Sequence, residues 1–521
     1  MKKLLGTTAI GLALAVSPAM AGDQTDVNQV MNAIDPQNAL NTATAEDVLN
    51  FDQTASNLGN FIDVIGNFDD IDQDLAVDQR ARNVLDAGGT SIKEVTQDAS
   101  NAANIVDIID GTTGDIKGDL EQTFEARGDR PGDDTQKATN RLLLDDQGQG
   151  GDILVRDYSQ SASNLGNYAN IDDAGSVLQK FAGNENDQRA SNFIGGDNDS
   201  SAGDPGRAQD VENRLQDVSQ DASNSGNLLL ADDVGSLDQL LGQSVDQFAT
   251  NTAWYELDVQ GTEQSASNTA NYADVNAVDG LALQKTGDES DQVARNVLMR
   301  EPGQYNGDGW VRDTSQSATN YANIFRSVID GVDNNNFGDD RPEQDKKGNE
   351  TRDPNPDVDQ LEQDGGDAQR ASNKVTFGAY LGKDNGKFRP DTTQDATNIM
   401  NLAEVREFDE GGISSGTLVM QTAAGADDDS IQSAVNLATY SGSSSLSEPG
   451  NVRDFEQSAG NMANLVYTGN LPSITSSSGV TEFDQTVSVP QFASNTITTI
   501  GNLNGVTQGA SNVGNVLSDL D

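Results

Sequence analysis

The chain has no cysteine and no histidine. The first absence excludes disulfides, thiol nucleophiles and cysteine-ligated metals. The second removes the usual general base and the commonest transition-metal ligand. Bases are scarce as well: 31 Lys and Arg stand against 84 Asp and Glu, for a net charge of −53. An excess of that size repels nucleic acid and anionic membrane and keeps a chain soluble. Aromatic residues are 5% and apolar residues 34% of the 521. That leaves little for a large conventional core, and composition alone permits disorder.

What argues for order is repetition. The pattern Gln-x-Ala-x-Asn recurs 17 times, from Gln53-Ala55-Asn57 to Gln508-Ala510-Asn512. A repeat of this kind predicts one elongated array in which added length means added copies. Nine copies carry a second Asn three residues on. They are Gln53, Asn57, Asn60; Gln97, Asn101, Asn104; Gln160, Asn164, Asn167; Gln220, Asn224, Asn227; Gln264, Asn268, Asn271; Gln316, Asn320, Asn323; Gln394, Asn398, Asn401; Gln457, Asn461, Asn464; and Gln508, Asn512, Asn515. Eight lack it, starting at Gln79, Gln136, Gln188, Gln247, Gln292, Gln369, Gln432 and Gln491. The two classes alternate without exception.

A strand turns successive side chains to opposite faces, so Gln, Ala and Asn share one face. Placed inward, they are joined by a β-former two residues before the Gln, such as Phe51, Val95 or Val218. Two residues such as Leu58-Gly59 or Ser225-Gly226 read as a tight arc, after which a second strand follows. The eight single-Asn copies read as one straighter strand, often preceded by an earlier Gln on a short run, as in Ile71-Asp72-Gln73 or Leu283-Gln284. Inward amides are costly unless hydrogen-bonded. Identical rungs about 4.8 Å apart satisfy them, each amide bonding the one above and below. The recurrent Ala fits two sheets too close for more than a methyl group. The outward residue after the Gln is often basic in the single-Asn class (Arg80, Lys137, Arg189) and often acidic in the other (Asp98, Asp221). Stacking of alternate classes therefore predicts Asp98 between Arg80 and Lys137.

The flanks and spacers read differently. Residues 1–21, with Lys2, Lys3, an apolar run Leu4–Val16 and Ala19-Met20-Ala21, form a signal peptide pattern; the apolar run is too short to span a bilayer. Residues 22–45 read as a leader without the motif, either flexible and recognised by an export pore or helical over Val27–Ile34, and residues 46–521 hold the array. Motif spacing runs from 17 to 53 residues, so the excess must leave as acidic, turn-rich loops. In the longest, Asp330, Asp333, Asp339 and Asp340 offer oxygen ligands of the kind calcium takes, but without an EF-hand or nonapeptide calcium pattern. Only Val516–Asp521 follow the last copy, which predicts no polar cap.

Segments such as VSQDASNSGNLLL and VTQDASNAANIVDI resemble the curlin repeats, which build curli-type functional amyloid fibres. Here Ala replaces the curlin motif Gly, the first Asn falls one position early, and the loops are longer and more acidic. The resemblance implies an all-β β-solenoid of stacked strand-turn-strand repeats with inward Gln/Asn ladders. It also implies export through an outer-membrane pore of a Gram-negative-type bacterium, aid from a nucleator, and self-association into extracellular fibres for matrix and adhesion. The alternative is a monomeric β-solenoid adhesin or a surface binder of ice or calcium. No catalytic set, cofactor site, metal site, nucleic-acid partner or membrane span is expected.

Overall fold

A computed structural model describes residues 26–519 apart from 33–35, 64–67, 109–114, 126–133, 145–151, 183–185, 197–212, 243, 288, 301–308, 328–357, 367, 383–391, 406–416, 425–430, 442–449 and 469–480. The signal pattern and the four aspartates from Asp330 to Asp340 lie outside the described residues. Among those described the regular structure is all strand, and every pairing is parallel.

The chain repeats a three-armed course nine times. A short arm comes first, as in Val27–Asn32, Ile71–Ala76 and Thr481–Val487. A straight arm follows, as in Gln37–Ala45, Gln79–Ala87 and Gln491–Thr498. A long arm completes the layer, as in Val48–Asp63, Ser91–Ile108 and Leu503–Asp519. Each arm pairs with the same arm of the next layer: Val27 with Ile71, Gln37 with Gln79, Val48 with Ile92. The straight arms form one sheet of nine strands; the short and long arms share a sheet of 19. In layers five to eight the pairings also close a ring of six strands. It runs through Asp258–Lys285, Trp310–Arg312, Tyr380–Gly382, Asn451–Thr468, Thr392–Val405 and Ser315–Ser327. Each of the two inner layers contributes two of the six strands, and each outer layer one long strand that pairs with both.

Three expectations change here. The two motif classes do not stack on one another. The long-arm copies occupy one sheet and the straight-arm copies the other, so Arg80 pairs with Lys137, and Lys137 with Arg189, without Asp98 between them. Asp98 instead lies between Thr54 and Ser161. The segment read as a motif-free leader contains two strands, not a helix, and Gln37-Ala39-Asn41 is a further copy in register with Gln79-Ala81-Asn83. The two-residue arc is no break: the long strand runs through it, with one residue, such as Gly226, skipped in the pairing.

That skipped residue is one of two in-register kinks of the described long arms, where both paired strands pass over one residue. The other lies three residues before the Gln, at Asn50, Glu94, Asp157, Asp217, Gly261, Asp313, Asp454 and Gly505, all with positive φ. The equivalent residue of layer seven, 391, lies outside the described residues. The pairing jumps it, from Leu49–Lys93 to Phe51–Val95, which bends the strand and restores the inward phase of the motif. Six of the eight pay a left-handed penalty that only the two glycines avoid.

The core has separate compartments. Apolar residues of the long and straight arms meet in one, including Leu85, Val95, Tyr158 and Ile194. Those at the end of the long arm meet the short arm in another, including Val106, Leu120, Val177 and Leu229. Between the long and straight arms the motif alanines form a column of their own, from Ala55 and Ala81 to Ala434 and Ala459. Volume is matched locally. A Cβ on Gly166 would lie 2.7 Å from the Phe181 ring, and one on Gly365 would lie 2.3 Å from Met400 Cγ. Large and small residues thus trade places between arms from layer to layer.

Candidate functional site: amide ladders and end layers

Six columns of amides run the length of the array. Three are glutamine columns, one per arm: Gln29 to Gln485 on the short arms, Gln37 to Gln491 on the straight arms and Gln53 to Gln508 on the long arms. Three are asparagine columns: Asn41 to Asn495, Asn57 to Asn512 and Asn60 to Asn515. All 27 long-arm amides expected from the sequence fall in these columns, in register from layer to layer. The short-arm column is the one that sequence reading did not assign. Its signal is a Gln with apolar residues two before and two after, as in Ile71-x-Gln73-x-Leu75 and Val177-x-Gln179-x-Phe181.

An amide suits this place because it has one acceptor and two N–H groups. One N–H bonds along the column: Gln97 Nε2 donates to Gln53 Oε1 at 2.7 Å, and Asn57 Nδ2 donates to Asn101 Oδ1 at 2.8 Å. In the glutamine columns and the Asn41 and Asn60 columns the other crosses, in most layers, to a backbone carbonyl of a different arm; in the Asn57 column only Asn461 and Asn512 do so. Straight-arm glutamines reach the carbonyl before the skipped residue, as Gln79 to Ala102 at 2.8 Å and Gln136 to Leu165 at 2.9 Å. Short-arm glutamines reach the carbonyl after the second Asn, as Gln122 to Tyr168 at 2.9 Å and Gln284 to Ile324 at 2.8 Å. The straight-arm glutamines thus use carbonyls that adjoin the skipped residue of the long arm. A carboxylate of the same shape has no N–H to give, which is why Gln and Asn, not Glu and Asp, hold these columns.

The columns have polarity. Every glutamine column donates toward the first layer, as Gln73 to Gln29, Gln79 to Gln37 and Gln508 to Gln457. Every asparagine column donates toward the ninth, as Asn41 to Asn83, Asn60 to Asn104 and Asn464 to Asn515. In layer one the column acceptors of Asn41, Asn57 and Asn60 therefore face away from the array. In layer nine the column acceptors of Gln485, Gln491 and Gln508 do so.

The end layers differ from the rest in exposure too. Among the described residues, the exposed large apolar side chains are Val30, Leu40, Leu49 and Phe61 in layer one, and Phe492, Ile500, Leu503 and Leu517 in layer nine or its approach. Gln508, Ala510, Asn512 and Asn515 are exposed, although their counterparts in layer five, Gln264, Ala266, Asn268 and Asn271, are at most 2% exposed.

Titratable groups are secondary. Burial raises the carboxyls of Asp98 and Asp221 on the long-arm surface. Burial also raises Asp246 to about 6, with Asp187 and Asp291 adding to the effect, while the Asp291 amide donates to it at 2.8 Å. Among the described residues no cluster of His, Cys, Asp or Glu has the makings of a metal site, and no helix is long and apolar enough to cross a membrane. No family model matches the chain, and no curated protein or solved structure is significantly similar to it.

Proposed function

We propose that this chain is a secreted, curlin-like structural subunit, a nine-turn β-solenoid that polymerises head to tail into extracellular fibres. The observation that carries the reading is the pair of open, complementary end layers. A second copy placed with its layer one on layer nine of the first meets every requirement of the columns. Its Gln29, Gln37 and Gln53 present a donor to Gln485, Gln491 and Gln508. Asn495, Asn512 and Asn515 present a donor to its Asn41, Asn57 and Asn60. The apolar side chains left exposed at both ends are covered in the same step. An unpaired parallel edge templates further strands, and a heterologous contact that does not close gives a filament. The proposed site of action is the cell surface or matrix of a Gram-negative-type bacterium, reached through an outer-membrane pore, with no catalysis, cofactor or nucleic acid involved.

The test uses residues 22–521, purified and incubated near neutral pH. Unbranched fibres with a meridional reflection at about 4.8 Å, and with growth accelerated by preformed seeds, are the expected result. A β-rich chain that stays monomeric for days would favour the adhesin or surface-binding reading.

A further inference from the structure

The two outer surfaces of the array carry opposite charge. On the straight-arm sheet, the stretch from one residue before the Gln to seven after it includes eight bases and five acids across nine strands, a net positive balance. Arg82 and Arg295 are exposed there, and Lys137, Arg141 and Lys374 are half-buried. Aromatic and aliphatic side chains lie among them, with Arg141 over Phe193 at 5.6 Å and Arg189 over Phe248 at 4.9 Å. An aspartate just before the Gln takes up some of this charge, as Asp187 does for Arg189 at 2.8 Å and Asp291 for Arg370 at 2.7 Å. On the long arms, the stretch from one residue before the Gln to ten after it includes ten acids, such as Asp63, Asp107, Asp274 and Glu404, and one base, Arg326.

Resting on the polymer reading above, we infer that the straight-arm face is a lateral docking surface for the acidic long-arm face of a second copy. Three features favour that occupant. The signs are complementary in a chain whose total charge is −53, so this face is a place where two copies attract. Both faces are parallel sheets built on the same layers, so their columns of charge share one repeat of about 4.8 Å and stay in step over any length. The chain segments of variable length fall between arms, and the pairing along each straight arm runs unbroken through the motif. Filaments side by side would then bundle through many weak, screened contacts, each worth little alone.

The experiment compares wild-type filaments with the quadruple variant R82Q/K137Q/R295Q/K374Q and its conservative control K137R/K374R. Low-speed sedimentation and electron microscopy are read at low salt and at about 0.5 M NaCl, where the screening length falls to a few ångström. Wild type and control are expected to bundle at low salt and separate at high salt. The quadruple variant is expected to elongate at the wild-type rate but to show a several-fold smaller pelleted fraction at low salt. Wild-type filaments that stay single at every salt, or variant bundles equal to wild type, would overturn the inference. So would a wild-type face that binds a DNA oligonucleotide or polyphosphate without bundling, which would assign it to a foreign polyanion. If no filament forms at all, the polymer reading falls separately. Salt-sensitive pairing of the soluble chain, lost in the quadruple variant, is then the expected result, and its absence overturns the inference.

Discussion

Layers five and nine contain the same motif in the same fold, yet their side chains live in different environments. Ala266 is 1% exposed within the alanine column, and Ala510 at the matching position is open to solvent. Gln264 donates to Gln220 and accepts from Gln316, each at 2.7 Å, whereas Gln508 has a column partner on one side only. The motif therefore serves two ends at once. Inside the array it determines stability. At the ends the proposed assembly would use the same atoms as its interface, so a substitution there should change assembly without changing the fold.

The sharpest way to break that comparison is to overfill the alanine column. Ala266→Leu forces two closely spaced sheets apart along a layer. We expect a loss at or above the usual overpacking range of about 1–3 kcal/mol, read as a large fall in the denaturation midpoint. Ala510→Leu should leave the midpoint of the monomer nearly unchanged. Next comes Gln264→Leu, which leaves the Gln220 acceptor and the Gln316 donor without partners. At roughly 1–3 kcal/mol for each buried group left unsatisfied, it should cost several times what Gln508→Leu costs in the monomer, measured by the same denaturation series.

A smaller effect concerns pH. The carboxyl of Asp246 titrates at about 6 when folded, above the ordinary aspartate value near 3.8 that the unfolded chain restores. Between those values the folded state binds more protons than the unfolded one, so stability falls as pH rises through the window and is highest below it. Thermal midpoints at about pH 5 should therefore exceed those at about pH 7.5, by an amount of order 1 kcal/mol after allowance for solvent screening. Asp246→Asn should flatten part of that dependence. Asp74, Asp98, Asp107, Asp221 and Asp238, also raised by burial, act in the same direction. A wild-type curve that rises with pH across this range would contradict the assignment.

The smallest effect lies at the long-arm bend. Glu94 sits at φ 53°, where Gly261 and Gly505 of other layers sit at 66° and 65°. Glu94→Gly should raise the melting temperature slightly, by up to about 1 kcal/mol of relieved strain, offset in part by the added freedom of the unfolded chain. A clear fall in melting temperature would mean that the Glu94 side chain holds the bend by contacts of its own.

Much of this architecture could be read from the residues, because strand periodicity ties identity to face. The inward direction of Gln53, Ala55 and Asn57 follows from alternation alone, and the crowding of the alanine column from the absence of anything larger. Register between copies did not follow. Two classes alternating along the chain look like neighbours in space, but a three-armed course brings every third strand together, and the Asp98–Arg80 pairing fails for that reason. The copy at Gln37 keeps the Gln, Ala and Asn of the motif but has apolar Leu40 where most copies have Ser, Thr or Arg, and it precedes the regular alternation of the two classes. The short-arm column was half-visible. Its glutamines precede the straight-arm Gln by 6 residues at Gln73 and Gln79 but by 14 at Gln122 and Gln136, so no fixed spacing marks them. In every described layer but the second, which has Glu94, the kink before the motif is traced by Asn, Asp or Gly at that position, a composition that tolerates positive φ and is easily taken for mere acidity.

The central claim is that the amide columns continue from one copy into the next. It is tested most directly with Ala510→Lys and Ala39→Lys, which place a charge on the ninth and first layers respectively. The account predicts that both variants fold with wild-type melting temperatures as monomers and do not polymerise alone. Each should also terminate wild-type filaments at substoichiometric amounts, at opposite ends, as seen by two-colour imaging of growth from marked seeds. Folded variants that polymerise at the wild-type rate, or that block both ends equally, would contradict it.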